Sequence, residues 1–135
     1  MEKDGFDFWQ DHSTTYLEMA LSTEHRERPD HTDGYGKRTG ECGDTVEFFL
    51  TVTNGIIRSI SFDTDGCMNT SACANTIATL LEGQPVEKAW ELTPQQIADY
   101  LETLPDDEYH CAELAVGALY LALSNYGKTG RSPRS

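Results

Sequence analysis

The stretch T-V-E-F-F-L-T-V-T-N-G-I-I-R-S-I-S-F-D, residues 45–63, predicts a β-hairpin. Apolar side chains alternate with other side chains on both sides of Asn54-Gly55, which is typical of strands with one buried face. The alternating residues are Val46, Phe48, Leu50 and Val52 before this pair, and Ile56, Ile60 and Phe62 after it. Asn-Gly is the strongest short-range hairpin signal. We therefore expect strands over 45–53 and 56–63.

The numbering of the apolar residues predicts the register of this hairpin. Even-numbered residues must face even-numbered residues if the two apolar sets are to share one side of the sheet. A three-residue loop, Thr53-Asn54-Gly55, satisfies this condition and pairs Val52 with Ile56. The same ladder, followed to its open end, sets Cys42 opposite Gly66 and next to Cys67.

The chain around the hairpin predicts one more strand and several helices. A third strand is expected within the glycine-rich loop, between about Gly36 and Cys42. Apolar spacing predicts helices over 13–24, 72–81, 86–92, 94–104 and 110–125, and Asn69-Thr70-Ser71 is expected to cap the second of them. We expect an α+β fold, in which a small antiparallel three-stranded sheet is covered on one face by four to five helices. Residues 1–126 are interpreted as a single domain with a loose N-terminus over 1–12, and residues 127–135 as a disordered tail.

The acidic composition excludes two classes of partner. The chain has 23 acidic and 10 basic side chains and a formal charge of −13. Such a surface repels phosphate backbones and anionic headgroups, so we expect no nucleic acid and no membrane partner. The longest apolar run, residues 114–123, is about half of the roughly 20 residues that cross a bilayer, and no hydrophobic signal core opens the chain. The expected location is the cytoplasm.

Four cysteines, at positions 42, 67, 73 and 111, indicate thiol or metal chemistry, because a chain without a secretory signal rarely uses them as disulfides. Cys42 precedes the first hairpin strand, Cys67 follows the second, and Cys111 opens the last helix, where the helix N-terminus stabilises an anion. Asp44 lies on the same side of its strand as Cys42, and His110 directly precedes Cys111. Together they form a donor set suited to zinc or an iron–sulfur cluster. The spacing alone leaves inert core thiols open, since no C-x-x-C pair is present.

Three segments of the chain resemble the signatures of the iron–sulfur scaffold family of the IscU or NifU N-terminal type. They are G-E-C-G-D at 40–44, G-C at 66–67 followed by A-C-A-N at 72–75, and H-C-A-E-L-A at 110–115. The order and gaps are similar to the family's over residues 34–123. The resemblance implies a fold of the IscU and SufE type and a scaffold role without enzymatic activity, although the chain could accept sulfur. Such a scaffold builds a transient cluster, of the 2Fe–2S type, from iron and from the persulfide sulfur of a cysteine desulfurase, and transfers it to apo iron–sulfur recipients.

Carried over by motif, the resemblance implies roles for five residues. Cys42, Cys67 and Cys111 are the ligand or persulfide-accepting thiols. Asp44 keeps the cluster labile, and His110 is an additional metal ligand. Zinc is expected to compete for these thiolates in the isolated protein.

Some positions depart from the family pattern. Residues 104–108 read L-P-D-D-E where many relatives have Leu-Pro-Pro-Val-Lys, which argues against transfer through an Hsp70-type chaperone. Cys73 stands where the family usually has serine and is expected to be a buried small residue. The remaining histidines, at positions 12, 25 and 31, are expected to be solvated, and the tryptophans, at positions 9 and 90, to anchor packing.

Three alternatives share these residues. The first is a zinc-dependent sulfur acceptor of the SufU type, although its relatives usually carry an insertion and only 43 residues separate Cys67 from Cys111. The second is a sulfur shuttle of the SufE type, which needs a single reactive cysteine. The third is a structural zinc domain, which chelators would unfold.

Overall fold

The structure of the protein is a computed structural model that describes residues 14–23, 25–40, 43–102, 104 and 109–129. The strands are β1 (Gly34–Thr39), β2 (Thr45–Thr53) and β3 (Ile56–Thr64). The helices are α1 (Thr14–Leu21), α2 (Met68–Leu81), α3 (Val86–Trp90), α4 (Pro94–Leu101) and α5 (Tyr109–Thr129). The strands form one antiparallel sheet in the order β1-β2-β3, which confirms the α+β prediction. Within the described ranges, none of the helices combines the length and apolar character needed to span a bilayer.

The hairpin forms as predicted, but its turn and register differ from the prediction. Asn54 and Gly55 both have positive φ, 54° and 77°, as a two-residue hairpin turn requires. Thr53 therefore pairs with Ile56, and a register shift between Thr51 and Val52 then restores the pairing of even with even residues. The predicted three-residue loop is wrong. At the open end Val46 pairs with Thr64, so the continued ladder points Asp44, and not Cys42, at Gly66.

The even-numbered face of the sheet carries the core and the helices. Its fully buried side chains are Val46, Phe48, Leu50, Ile60 and Phe62, and the register shift adds Ile57 to them. The prediction that Ile56 lies on this face is wrong, because Ile57 pairs with Val52 whereas Ile56 pairs with Thr53. Helix α5 packs against β1 and β2, while α2 packs against β3 and α5. Gly34 faces Ala122 and Tyr126, and Gly36 faces Ala118 and Ala122. Because β1 and α5 run in opposite directions, the first turn of α5 lies toward the chain that leaves β1.

The opposite face of the sheet is polar and carries a charged network. Arg28 donates hydrogen bonds to Glu47 and Asp63, and its guanidinium lies 5.2 Å from the Phe49 ring centroid. Tyr35 donates its hydroxyl to the same Glu47 carboxylate. The hydrogen bond from Arg28 lowers the pKa of Glu47, and burial raises the pKa of Tyr35 to about 12.

The edge of β3 that does not pair with β2 is covered by two other parts of the chain. The Ile60 amide donates to Glu82 Oε2 at 2.9 Å, and the Phe62 amide donates to the His25 carbonyl at 2.9 Å. The His25 ring also pairs with Glu82 Oε1 at 3.2 Å, and its side chain is only 15% exposed. The prediction that His25 is solvated is therefore wrong. Glu82 accepts a hydrogen bond from the Ile60 amide at the edge of β3 and so lies beside the His25 ring.

Several local predictions can be compared directly. Cys73 is fully buried, as expected, whereas α5 continues past Gly127 to Thr129, so the start of the predicted tail is helical. His31 is exposed and contacts Asp33. Trp90 stacks on Tyr120 with ring centroids 5.5 Å apart. The predictions for residues 1–12, for His12 and Trp9, and for residues 105–108 and 130–135 lie outside the described residues.

Candidate functional site

Three of the predicted site residues converge where three elements begin. Asp44 directly precedes β2, Cys67 is the N-cap residue of α2, and Cys111 lies in the first turn of α5. The close packing of α5 on β1 brings the third of these elements to the other two. The side chains meet around Thr70, which the sequence predicts only as a helix-capping residue.

The hydroxyl oxygen of Thr70 lies at the centre of this arrangement. It is 3.2 Å from Asp44 Oδ2, 3.5 Å from Cys111 Sγ and 3.8 Å from Cys67 Sγ. Both sulfur atoms therefore lie within 3.8 Å of the same oxygen atom. We name Asp44, Cys67, Thr70 and Cys111 the Thr70 cluster.

The Thr70 cluster has an open side and a closed side. Cys67 is exposed and Asp44 is half-buried, whereas Cys111 is 1% exposed and Thr70 is fully buried. His110 is exposed, and its Nε2 lies 3.8 Å from Cys111 Sγ. A reactant from solvent thus reaches Cys67 first, and Cys111 supplies a sulfur atom at the inner end of the site.

The connection from β3 to α2 fits tightly under the Thr70 cluster. A Cβ atom at Gly66 would lie 2.9 Å from both Asp44 Oδ2 and Thr70 Oγ1, so a larger residue here would displace these side chains. The Gly66 amide donates to Thr64 Oγ1 at 2.9 Å, and that hydroxyl donates to the Thr45 carbonyl at 2.6 Å. These bonds tie the connection to the start of β2, the strand that carries Asp44.

Cys67 stands at a helix end whose amides favour anions. It is the N-cap residue of α2 and makes no side-chain capping bond, and its carbonyl accepts the Ser71 amide at 3.1 Å. The first amides of a helix point at such a position and stabilise negative charge there. The predicted capping role of Asn69-Thr70-Ser71 is thus wrong. Asn69 instead accepts a hydrogen bond from Tyr16, and Thr70 contacts the donors.

Cys42 completes the predicted donor set in the sequence, but it lies outside the described residues. Its covalent neighbour Gly43 donates its amide to the Gly40 carbonyl at 3.0 Å, and the Gly40 amide donates to the Asp44 carbonyl at 2.8 Å. Among the described residues, no group of three or more His, Cys, Asp or Glu side chains is close enough to hold a metal ion. By donor type, the two sulfurs and one carboxylate suit a soft or borderline metal.

The position of Thr70 could have been found from the helical period. It follows Cys67 by three residues, and side chains three apart share one face of a helix. What no local pattern indicates is that the same hydroxyl also meets Asp44 and Cys111, which lie 26 and 41 residues away in sequence.

The comparison with known families and relatives gives one consistent result. The family model of the NifU-like N terminal domain matches residues 24–132. The chain is 32% identical over 85 residues to the iron-sulfur cluster assembly scaffold protein IscU 1 of Archaeoglobus fulgidus, a match covering 63% of this chain and 56% of that protein. It is 36% identical over 86 residues to the IscU scaffold protein of Haemophilus influenzae, covering 63% and 68% of the two chains. The chain thus spans little more than half the length of the archaeal relative.

Solved structures share the fold at low sequence identity. A putative iron-sulfur cluster assembly scaffold protein for the SUF system of Fervidobacterium islandicum superposes with a TM-score of 0.71 at 14% identity, covering 87% of this chain and 99% of that one. A nitrogen-fixing NifU-like protein (N-terminal) of Brucella abortus superposes with a TM-score of 0.72 at 15% identity, covering 90% and 99%. These likenesses establish the fold.

Proposed function

Because the chain belongs to the NifU-like N-terminal domain family, we propose that it assembles a transient iron–sulfur cluster and transfers it to recipient proteins. The observation that carries this proposal is the convergence of Asp44, Cys67 and Cys111 around one hydroxyl. Two thiolate donors from different helices and a carboxylate from a strand can hold an inorganic core only when the fold unites them. The role is that of a carrier, with the cluster as its cargo.

The donor types account for both assembly and release. Thiolates are preferred ligands of iron in clusters, and a carboxylate is a poorer one. We propose Cys42, Cys67 and Cys111 as the thiolate ligands, Asp44 as the weak ligand that keeps the cargo exchangeable, and His110 as an additional ligand. A mixed ligand set that is open to solvent at Cys67 suits a cluster that must leave.

Sulfur is proposed to arrive from a cysteine desulfurase as a persulfide. The Cys67 thiolate, which is the exposed member of the Thr70 cluster, attacks the outer sulfur of the desulfurase persulfide. A new S–S bond forms on Cys67 and the desulfurase thiolate leaves, so no net redox change occurs in this step. Conversion of that sulfur to bridging sulfide takes two electrons from an external thiol or electron-carrier protein. The finished 2Fe–2S core then passes to an apo-protein with its own thiolates.

Anaerobic reconstitution tests the proposed function. Incubation with ferrous iron, cysteine and a desulfurase should produce the visible charge-transfer absorption of an iron–sulfur cluster. We expect Cys42→Ala, Cys67→Ala and Cys111→Ala to reduce this absorption strongly. Cys73→Ala is the matched control, because Cys73 is also on α2 but lies fully buried in the core. The scaffold proposal is wrong if all three site variants retain the wild-type absorption.

A further inference from the structure

We propose that Thr70 is a positioning residue that orients the metal donors of the site, an inference that rests on the proposed function and concerns the same donors. Its hydroxyl contacts side chains carried by three separate elements, the start of β2, the N-cap of α2 and the first turn of α5. Thr70 itself is not a ligand in this proposal. It acts on the cargo through Asp44 and Cys111.

The bonding capacity of a hydroxyl matches the three contacts. A threonine hydroxyl has one proton to donate and two lone pairs that accept. The shorter distance, 3.2 Å, runs to the Asp44 carboxylate, which can only accept when ionised. The Cys111 and Cys67 sulfurs lie at 3.5 Å and 3.8 Å, and each can donate to a lone pair of the hydroxyl as a thiol or accept its proton as a thiolate. One hydroxyl is therefore in contact with all three donors, and it gives its proton to one acceptor at a time, with the Asp44 carboxylate at the shortest distance.

Burial makes this hydroxyl difficult to replace. Thr70 is fully buried, and Gly66 lies so close to it that an added Cβ at position 66 would sit 2.9 Å from the Thr70 hydroxyl oxygen. Removing a buried hydroxyl leaves its partners unsatisfied unless water takes its place. Because Thr70 lies in the first turn of α2 and Cys67 is the N-cap residue of that helix, its position relative to that sulfur is also set by the helix.

The contact with Asp44 is compatible with cargo binding. A carboxylate has two oxygens, so a hydrogen bond on Oδ2 does not prevent Oδ1 from binding a metal. Hydrogen bonds to a ligand from the residues behind it fix its orientation, and their loss typically lowers metal affinity by about 10- to 100-fold. Thr70 is thus expected to strengthen metal binding although it does not touch the metal.

Cobalt(II) titration of the full chain under anaerobic conditions tests this role. Thiolate-to-cobalt absorption reports the affinity, and the ligand-field bands report the geometry of the donors. We expect Thr70→Val to lower the affinity about 10-fold and to change the ligand-field bands, and Thr70→Ser, which keeps the hydroxyl, to restore both. Thr76→Val is the matched control. Thr76 is also fully buried on α2, but its hydroxyl donates to the Ala72 carbonyl at 2.8 Å.

Each outcome bears on the proposal separately from the scaffold function. The role of Thr70 is excluded if wild type binds no cobalt(II), if T70V binds like wild type, or if T70V and T76V weaken binding equally. If T70V does not fold, Thr70→Ala deletes the same hydroxyl with a smaller side chain and is judged by the same criteria. Failure of wild type to assemble a cluster, with cobalt(II) affinity still dependent on the hydroxyl, would instead refute the scaffold function and retain Thr70 as a positioning residue.

Discussion

Gly36 on β1 lies so close to Ala122 on α5 that a Cβ atom at position 36 would sit 2.3 Å from the Ala122 amide nitrogen. The same atom would lie 2.5 Å from the Ala118 carbonyl oxygen, so backbone blocks it on two sides. This contact lets the helix rest directly on the strand. It also sets how far the first turn of α5, with Cys111, stands from the start of β2, with Asp44.

Gly36→Ala should therefore destabilise the fold by about 2–3 kcal/mol, since a methyl group cannot enter without moving helix or strand. Urea unfolding measures this loss. Gly127→Ala is the control, because Gly127 is on the same helix and its added Cβ would have no described atom within 4 Å. Alanine there should be neutral or stabilise by up to about 1 kcal/mol. Equal stability of G36A and wild type would contradict the close approach.

Asp44→Ala should lengthen the lifetime of an assembled cluster. The substitution removes the oxygen donor that competes poorly for iron and leaves the thiolates to hold the cargo. The rate of transfer to an apo-ferredoxin, followed by its absorption or circular dichroism, should fall at least several-fold. Asp99→Ala is the matched control, because Asp99 lies on α4 and accepts a hydrogen bond from Gln95. Transfer from D44A at the wild-type rate would remove Asp44 from the proposed release step.

Glu82→Ala should expose the edge of β3 and destabilise the protein by about 1–3 kcal/mol. The carboxylate accepts the Ile60 amide with one oxygen and contacts the His25 ring with the other, so both partners lose it. Unfolding in urea and amide hydrogen exchange at Ile60 report the change. Glu18→Ala removes one exposed carboxylate from α1 and should have little effect. Unaltered exchange at Ile60 in E82A would argue against the capping of this edge.

The network on the polar face of the sheet predicts a dependence of stability on acid. The pKa of Glu47 is below its ordinary value of 4.5 because Arg28 donates a hydrogen bond to it. A lowered pKa contributes stability that is present above 4.5 and is lost as the pH falls through the folded-state value. Glu47→Gln should thus be less stable than wild type at pH 7, and the two should converge in acid. Glu18→Gln controls for net charge, and a difference that does not shrink in acid would contradict the assignment.

The same network predicts a loss of stability in base. Burial, followed by the hydrogen bond to Glu47, raises the pKa of Tyr35 from 10 to about 12. A raised pKa contributes stability that is present below pH 10 and disappears as the pH rises toward 12. In Tyr35→Phe this part of the alkaline decline should be absent when the free energy of unfolding is measured at pH 9 to 12. A decline as steep in Y35F as in wild type would assign it to other groups.

The sequence predicted the hairpin well and its register poorly. Alternation reports only which side chains share a face, and this information was correct for β2 and for Ile60 and Phe62 of β3. It was wrong for Ile56, because Ile57 pairs with Val52 and lies in the core instead. The turn was settled by the positive φ of Asn54 and Gly55, and the bulge between Thr51 and Val52 then returned the apolar residues to one side. Alternation cannot distinguish a longer loop from a short loop followed by a bulge, because both preserve the parity.

The sequence by itself determined the kinds of donor available, the motifs that carry them and the sheet that supports them. These features depend on residue types and short spacings, which are local. Only the tertiary structure decided that Asp44, Cys67 and Cys111 meet around Thr70, and that His25 is joined to Glu82 across 57 residues. The reason is physical. Such meetings arise when the glycines of β1 admit α5 to the sheet and the core closes, so they depend on packing between elements and not on the pattern within any one of them.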